Sequence, residues 1–332
     1  LSLCATQISS KKFAGFLQKS GPLASGPLSG KSRGMTRPLL TPLAQSLPET
    51  VPFVGPETQE RAMGRPFRAR LGANESLFGP SPKALAAMAQ AAADVWMYGD
   101  PENHDLKQAL AAHHGCRPEN IVVGEGIDGL LGYLVRLTVG PGDRVVTSLG
   151  AYPTFNFHVA GFGGAVVRVP YKGDHEDPEA LLEAARAHAP NLIYLATPDN
   201  PMGSAHPGAV IADMVADLPE SSLLVLDEAY VDLAPEGTAP VLSPDDPRVI
   251  RFRTFSKAHG LAERAGDKVR NHFGMGRIAQ AGALAALADT AHLARVRALT
   301  ATARSRLTGI AAANGLRALP SATNFVTIDC GR

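Results

Sequence analysis

Five short apolar runs in this chain each lead into groups that can do chemistry. Asn120–Val123 is followed by the glycine loop Gly124-Glu125-Gly126-Ile127-Asp128-Gly129. Arg144–Ser148 leads to Tyr152, and Asn191–Ala196 leads to Asn200. Ser222–Leu226 leads to Asp227 and Tyr230, and Val249–Thr254 leads to Ser256 and Lys257. One strand ending in a polar residue carries no information, because every strand must leave the core somewhere. Ligands of an open parallel sheet bind outside the carboxyl ends of its strands. A glycine loop, an aromatic, an amide, a carboxylate with a phenol, and an amine at five successive ends therefore read as one assembled site.

Such a set suits a phosphorylated pyridine aldehyde. An amine can attach it covalently, a carboxylate can keep the ring nitrogen protonated, and the cationic ring then acts as an electron sink. A glycine loop opening a helix offers free N–H groups and a favourable dipole to a phosphate. A flat aromatic can stack on the ring, and an amide and a phenol can bond its hydroxyl. Each residue also has a plainer reading. Lys257 resembles any surface lysine, Asp227 could cap a helix, and Tyr152 and Tyr230 could be core aromatics. For Asn200 alone, the turn chemistry of Asn-Pro is an equal explanation. Their company favours function.

A competing motif is present. Gly124, Gly126 and Gly129 have dinucleotide-fingerprint spacing. That fingerprint also needs an acidic residue at the end of the next strand. The next run ends in Ser148, Leu149 and Gly150, and Asp143 lies at its wrong end. The loop is better explained as a cradle for a smaller phosphorylated cofactor. Neither the pair His113-His114 nor any carboxylate pattern has metal-ligand spacing, so no metal is expected.

The elements that must position these groups follow from the texture of the sequence. Lys83–Asp94 is an Ala-rich helix with Pro82 before it. The apolar runs then alternate with helical stretches such as Asp177–His188, the pattern of an α/β domain with a largely parallel sheet. Beyond about Arg277 the chain turns helical for a long stretch, and a strand over Asn324–Asp329 follows, marking a smaller α+β domain. Residues 1–34 lack Asp and Glu and read as a non-native leader, although a transit peptide has a similar composition. Residues 35–82 read as a Pro-rich, extended arm, 83–268 as the large domain, and 269–332 as the small one.

The 332 residues are 45% hydrophobic with a formal net charge of +1, so no overall field recruits nucleic acid or an anionic membrane. No apolar run approaches the roughly 20 residues that span a bilayer. Three well-separated cysteines, Cys4, Cys116 and Cys330, read as reduced thiols of a cytoplasmic protein.

At LGANESLFGPSP (71–82), TPDNPMG (197–203), LDEAY (226–230), RTFSKAHGLA (253–262) and SATNF (321–325), the sequence resembles the fold-type-I pyridoxal-phosphate aminotransferases. Within them it is most similar to the histidinol-phosphate aminotransferase family. The resemblance implies that Lys257 carries the cofactor and shuttles the proton, and that Asp227 partners the pyridinium nitrogen. It implies Tyr230 and Asn200 on the ring hydroxyl, Tyr152 as the stacking aromatic, and Gly126, Ile127, Asp128 and Gly129 as the phosphate loop. Ser256 would be a further phosphate ligand, Asn74 and Asn324 would bind substrate, and Tyr98 would be lent across a homodimer interface to the neighbour's phosphate. The implied reaction passes an amino group between glutamate/2-oxoglutarate and a keto acceptor. Imidazole acetol phosphate, giving histidinol phosphate, is the expected acceptor; aromatic keto acids are the near alternative.

Two departures from the family pattern set further expectations. After the lysine the family runs Leu-Ala-Gly-x-Arg-x-Gly-Tyr, whereas this chain reads Leu261-Ala262-Glu263-Arg264-Ala265-Gly266-Asp267-Lys268. An internal deletion joining Ala262 to a helix through 268–271 is the simplest account, so Arg264 is not expected to hold phosphate. Family members also continue past the strand that Asn324–Asp329 resembles, so the small domain and its carboxylate-binding arginine are expected to be incomplete. Other readings stay open: a decarboxylase of a phosphorylated amino acid using the same cofactor, an inactive relative, and a nicotinamide oxidoreductase.

Overall fold

The structure is a computed structural model and describes residues 40–48, 54–70, 72–261 and 274–331. The leader, Met35, and the segment with Arg264 and 268–271 lie outside the described residues. The chain divides into two units, Leu1–Val51 and Pro52–Arg332. In the first, α1 (Pro42–Ser46) is capped by Thr41, whose Oγ1 accepts the Ala44 N–H at 3.1 Å. The second unit opens with α2 (Pro56–Met63). These two helices correct the expectation of an extended arm. Each starts with proline just after its N-cap, where the missing N–H is not needed and the fixed φ favours helix.

The second unit continues with α3 (Pro82–Ala91), α4 (His104–His114), α5 (Gly126–Thr138), β1 (Arg144–Ser148), α6 (Pro153–Gly161) and β2 (Ala165–Val169). Then come α7 (Pro178–His188), β3 (Leu192–Ala196), α8 (Gly208–Ala216), β4 (Leu223–Asp227) and β5 (Val249–Phe252). The last elements are α9 (Arg277–Ala288), α10 (Thr290–Ala313), β6 (Arg317–Ala318) and β7 (Ile328–Asp329). The α3 helix expected over Lys83–Asp94 begins at Pro82 and passes into a 3-10 turn over Ala92–Asp94.

β1–β5 form a parallel sheet in the order β2-β1-β3-β4-β5. Period-two alternation gives the inner strands β1, β3 and β4 two buried faces. One face, with Val145, Leu192, Tyr194, Ala196 and Val225, packs under Ile127, Leu131 and Val135 of α5 and Phe155 and Val159 of α6. The other, with Val146, Ile193, Leu195, Leu224 and Leu226, packs under α7 and α8. This is an α/β sandwich of three layers. α9 packs against α3 closely enough that a Cβ on Gly282 would stand 2.7 Å from Met88 Cγ. Among the described residues no helix is long and apolar enough to cross a membrane.

Three strand expectations need correction. Asn120–Val123 pairs with nothing among the described residues. Its first residue ends a 3-10 turn, and Val123 instead packs beside Leu106, Met275 and Phe255. β2 was not foreseen; it is a sheet edge with a mixed burial pattern, framed by Gly163-Gly164 and Pro170. The strand expected over Asn324–Asp329 is reduced to Ile328–Asp329, paired with β6. Ahead of it, the Ser321 and Thr323 hydroxyls bond the Phe325 carbonyl at 2.5 and 3.1 Å, and local side-chain bonds of this kind compete with a ladder.

Candidate active site

At the carboxyl end of β4, Asp227 is buried and each carboxylate oxygen has a protein donor. Tyr194 Oη donates to Oδ2 at 2.6 Å, and the Ala229 N–H donates to Oδ1 at 2.9 Å. Burial pushes this carboxyl up to about 6, while those two hydrogen bonds pull it down. The charges of Asp128 and Glu228 add to the upward push. Asp227 is therefore an anion near neutral pH that is poised to accept a cationic partner.

Three residues further on, Tyr230 is buried with its ring edge-on to Phe325, centroids 5.5 Å apart. Burial raises its hydroxyl well above the ordinary phenol value. Its Oη accepts a hydrogen bond from Asn74 Nδ2 at 3.2 Å. Asn74 is a hub. Its carbonyl lies 3.4 Å from Lys257 Nζ and accepts from Asn324 Nδ2 at 2.9 Å. Lys257 Nζ is also 3.5 Å from the Ala73 carbonyl and 5.6 Å from the centre of the Tyr230 ring. Ala73 and Asn74 both have left-handed backbone, φ 66° and 53°. Asn tolerates this conformation, whereas Ala pays about 1–2 kcal/mol, and strain of this kind collects at functional sites.

The glycine loop opens α5. Gly126 has φ 70°, which suits glycine, and a Cβ on Gly129 would stand 2.9 Å from Glu125 Cβ. Ile127 points into the core, so only its backbone is available to a ligand. Asp128 Oδ2 accepts from Tyr152 Oη at 3.3 Å, joining the loop to the N-cap of α6, and burial raises the Tyr152 hydroxyl. Ser256 lies in the turn between β5 and Lys257, where Thr254 Oγ1 donates to its hydroxyl at 2.8 Å. Asn200 is half-buried in the turn after β3, which contains a cis Thr197–Pro198 bond. Tyr98 lies on the surface before α4, its carbonyl held by Arg277 Nη2 at 2.9 Å. Thus Lys257, Tyr230, Asn74 and Asn324 form one bonded group, and Asp128 and Tyr152 another. Asp227 is near enough for its charge to act on both phenols.

Sequence reasoning missed three buried polar residues below these. Tyr194 supports Asp227. Asp199, whose Oδ2 accepts from Tyr171 Oη at 3.1 Å and from the Met202 N–H at 3.2 Å, is pushed by burial up to about 6. Glu176 bridges the ends of β1 and β3 through Ser148 Oγ and the Ala196 N–H. Only Tyr194 left a signal, because a phenol in a wholly buried strand must find a partner.

A parallel sheet whose strand ends gather an amine, a buried carboxylate, a phenol and a glycine-opened helix defines a fold-type-I transferase. The chain belongs to the aminotransferase class I and II family, whose model matches residues 69–332. It is 38% identical over 292 residues to a histidinol-phosphate aminotransferase of Anaeromyxobacter sp. (strain Fw109-5), covering 82% of this chain and 79% of that one. It is 36% identical over 283 residues to an aromatic amino acid aminotransferase of Thermobifida fusca, covering 79% and 77%. The crystal structure of a histidinol-phosphate aminotransferase from Sinorhizobium meliloti in complex with pyridoxal-5'-phosphate superposes with a TM-score of 0.85. That match has 55% sequence identity and covers 90% of this chain and 84% of that one.

Proposed function

We propose that this chain is a pyridoxal-phosphate-dependent transaminase that passes an amino group between glutamate/2-oxoglutarate and imidazole acetol phosphate, giving histidinol phosphate. The observation that carries the reading is the convergence of the Lys257 amine, the Tyr230 phenol and the buried Asp227 carboxylate at adjacent strand ends. When bound, pyridoxal phosphate supplies an aldehyde that joins an amine and a cationic ring that takes up electrons.

The donor set fits that group. The first-turn amides of α5 at Gly126–Gly129 bind its phosphate, because helix N-termini favour anions, with Ser256 as a further donor. Asp227 holds the proton on the ring nitrogen. Tyr230 and Asn200 would hold the ring hydroxyl, and Tyr152 would cover the ring. Lys257 is the amine that would hold the aldehyde and move the substrate proton, while Asn74 and Asn324 would position the substrate. The histidinol-phosphate relatives support the acceptor, and the aromatic relative supports an aromatic keto acid as the second reading.

The enzyme acts in the cytoplasm as a homodimer in which Tyr98 reaches the neighbour's phosphate. Residues 83–268 form its cofactor-binding domain and 269–332 belong to a smaller domain. Purified protein with added pyridoxal phosphate should show visible absorbance that borohydride abolishes, and glutamate should convert the spectrum. Lys257→Ala should remove the band and lower transamination by at least about 10³-fold. A Lys257→Ala protein that kept both would sink the reading, and carbon dioxide release would point to a decarboxylase.

A further inference from the structure

We propose that Tyr194 is a positioning residue for the cofactor, holding Asp227 in its ionised form from within the sheet. The inference rests on the reading of Asp227 as partner of the ring nitrogen.

The strand register places the two side chains together. Ala196 on β3 pairs with Asp227 on β4, and Tyr194 pairs with Val225. Tyr194 and Asp227 are therefore diagonal neighbours on one sheet face, two residues out of step, within reach of a long side chain. The phenol spans that diagonal and donates to Asp227 Oδ2 at 2.6 Å. Its ring cannot swing away. It is fully buried and stacked on Phe155 with centroids 4.7 Å apart and planes 16° from parallel. Asp227 Oδ1 is held separately by the Ala229 N–H. A carboxylate has about four acceptor sites, so two hydrogen bonds can lock its rotamer and leave room for a ligand donor.

The charge argument runs in the same direction. Asp128 in the first turn of α5 and Glu228 beside it push Asp227 towards the neutral acid, as does its burial. Asp227 in turn lies within electrostatic reach of Tyr152, Tyr230, Asp199 and Glu176. The two nearby arginines on β5 and just after it, Arg251 and Arg253, are bonded to Glu228. The Tyr194 hydroxyl and the Ala229 N–H both favour the ionised form of Asp227, and Tyr194 is the side chain of the two. A short hydrogen bond to an ionised carboxylate favours the charged form. Removing the hydroxyl should let burial win, so that the carboxyl takes up a proton at higher pH.

The test is a titration of the apoprotein with pyridoxal phosphate from pH 5 to 8.5, followed by visible absorbance, for wild type, Tyr194→Phe and Asp227→Ala. In wild type, affinity should fall as pH drops through about 6, the value to which Asp227 is pushed. Tyr194→Phe keeps the ring and loses only the hydroxyl. Its midpoint should lie about one pH unit higher, with affinity up to about tenfold weaker on the acid side and equal to wild type at pH 8.5. A merely structural tyrosine would weaken binding at every pH and leave the midpoint in place. Should Tyr194→Phe not fold, 3-fluorotyrosine at position 194, a stronger donor of nearly the same size, should move the midpoint to lower pH. An unmoved midpoint in the tyrosine variants, with Asp227→Ala binding weakly at all pH values, would overturn the role of Tyr194. Asp227→Ala binding with the wild-type pH profile would instead overturn the reading of Asp227 itself.

Discussion

Glu176 is 1% exposed, and its carboxyl joins the ends of β1 and β3, taking hydrogen bonds from Ser148 Oγ and from the Ala196 N–H at 2.9 Å. The register between those strands covers only Val145 with Leu192 and Val146 with Ile193, so the carboxyl bonds an N–H beyond the point where paired residues end. Burial, reinforced by the charge of Asp199, pushes it up to about 8 from the ordinary 4.5. The folded protein then holds a proton that the unfolded chain has already released, so stability is lost as pH rises towards 8. Burial lowers His114, His158, His206 and His259, which give the opposite slope, but only below their ordinary 6.5. Between pH 6.5 and 8 the glutamic acid should dominate. Denaturant unfolding of the apoprotein should show about 1–2 kcal/mol lost across that window, and Glu176→Gln, which cannot ionise, should flatten the slope. Equal slopes in the two proteins would show that Glu176 is already charged.

At the scale of elements, the site depends on β4 and β5 staying in step, and Glu228 fastens them. Its side chain is fully buried and takes Arg251 in two bonds of 2.7 and 2.9 Å and Arg253 in one of 3.0 Å, while its N–H bonds the Phe252 carbonyl. The turn bearing Asp227 and Tyr230 is thereby tied to the strand that delivers Lys257. Glu228→Gln should cost about 2–3 kcal/mol by denaturant unfolding, because it takes the charge from a fully buried side chain and leaves the partly exposed Arg251 without its carboxylate, while Arg253 keeps Asp232 at 3.6 Å. Glu179→Gln, which breaks the exposed pair with Lys172, should change stability by under about 1 kcal/mol. Similar values for the two would mean that the triad is not a clamp. β1, β3, β4 and β5 were legible as apolar runs bounded by turn residues, and Lys257, Asp227, Tyr230 and Asn74 as parts of ordered motifs. Asn120–Val123 has the same composition, yet pairing is decided by a distant partner and not by the run itself. The arm prolines misled because an N1 proline and an extended proline look alike without their caps. Tyr194 and Glu176 stayed hidden because the sequence does not show register, which decides what a buried phenol or acid faces.

At the scale of the whole molecule, the segments flanking α3 are unusually apolar for a surface. Leu77 is 88% exposed, Trp96 79% and Tyr98 74%. Large exposed aromatics mark interaction surfaces, and in the proposed homodimer these segments would meet the neighbouring subunit. If Tyr98 is lent across that homodimer as proposed, each site is a composite, with Lys257 and Asp227 from one protomer and Tyr98 from the other. A composite site has a consequence that a self-contained one lacks. Take Lys257→Ala, which removes the amine, and Tyr98→Phe, which removes the lent hydroxyl. In a mixed dimer one site carries both defects, and the other draws an intact Lys257 from the second variant and an intact Tyr98 from the first. Unfolding and refolding the two variants together in equal amounts should therefore restore activity beyond the sum of the parts. Random pairing makes about half of the dimers mixed with one good site each, so recovery should approach about a quarter of wild type. If Tyr98 served its own chain's site, neither site of a mixed dimer would gain anything, and the mixture would stay at the average of the two variants.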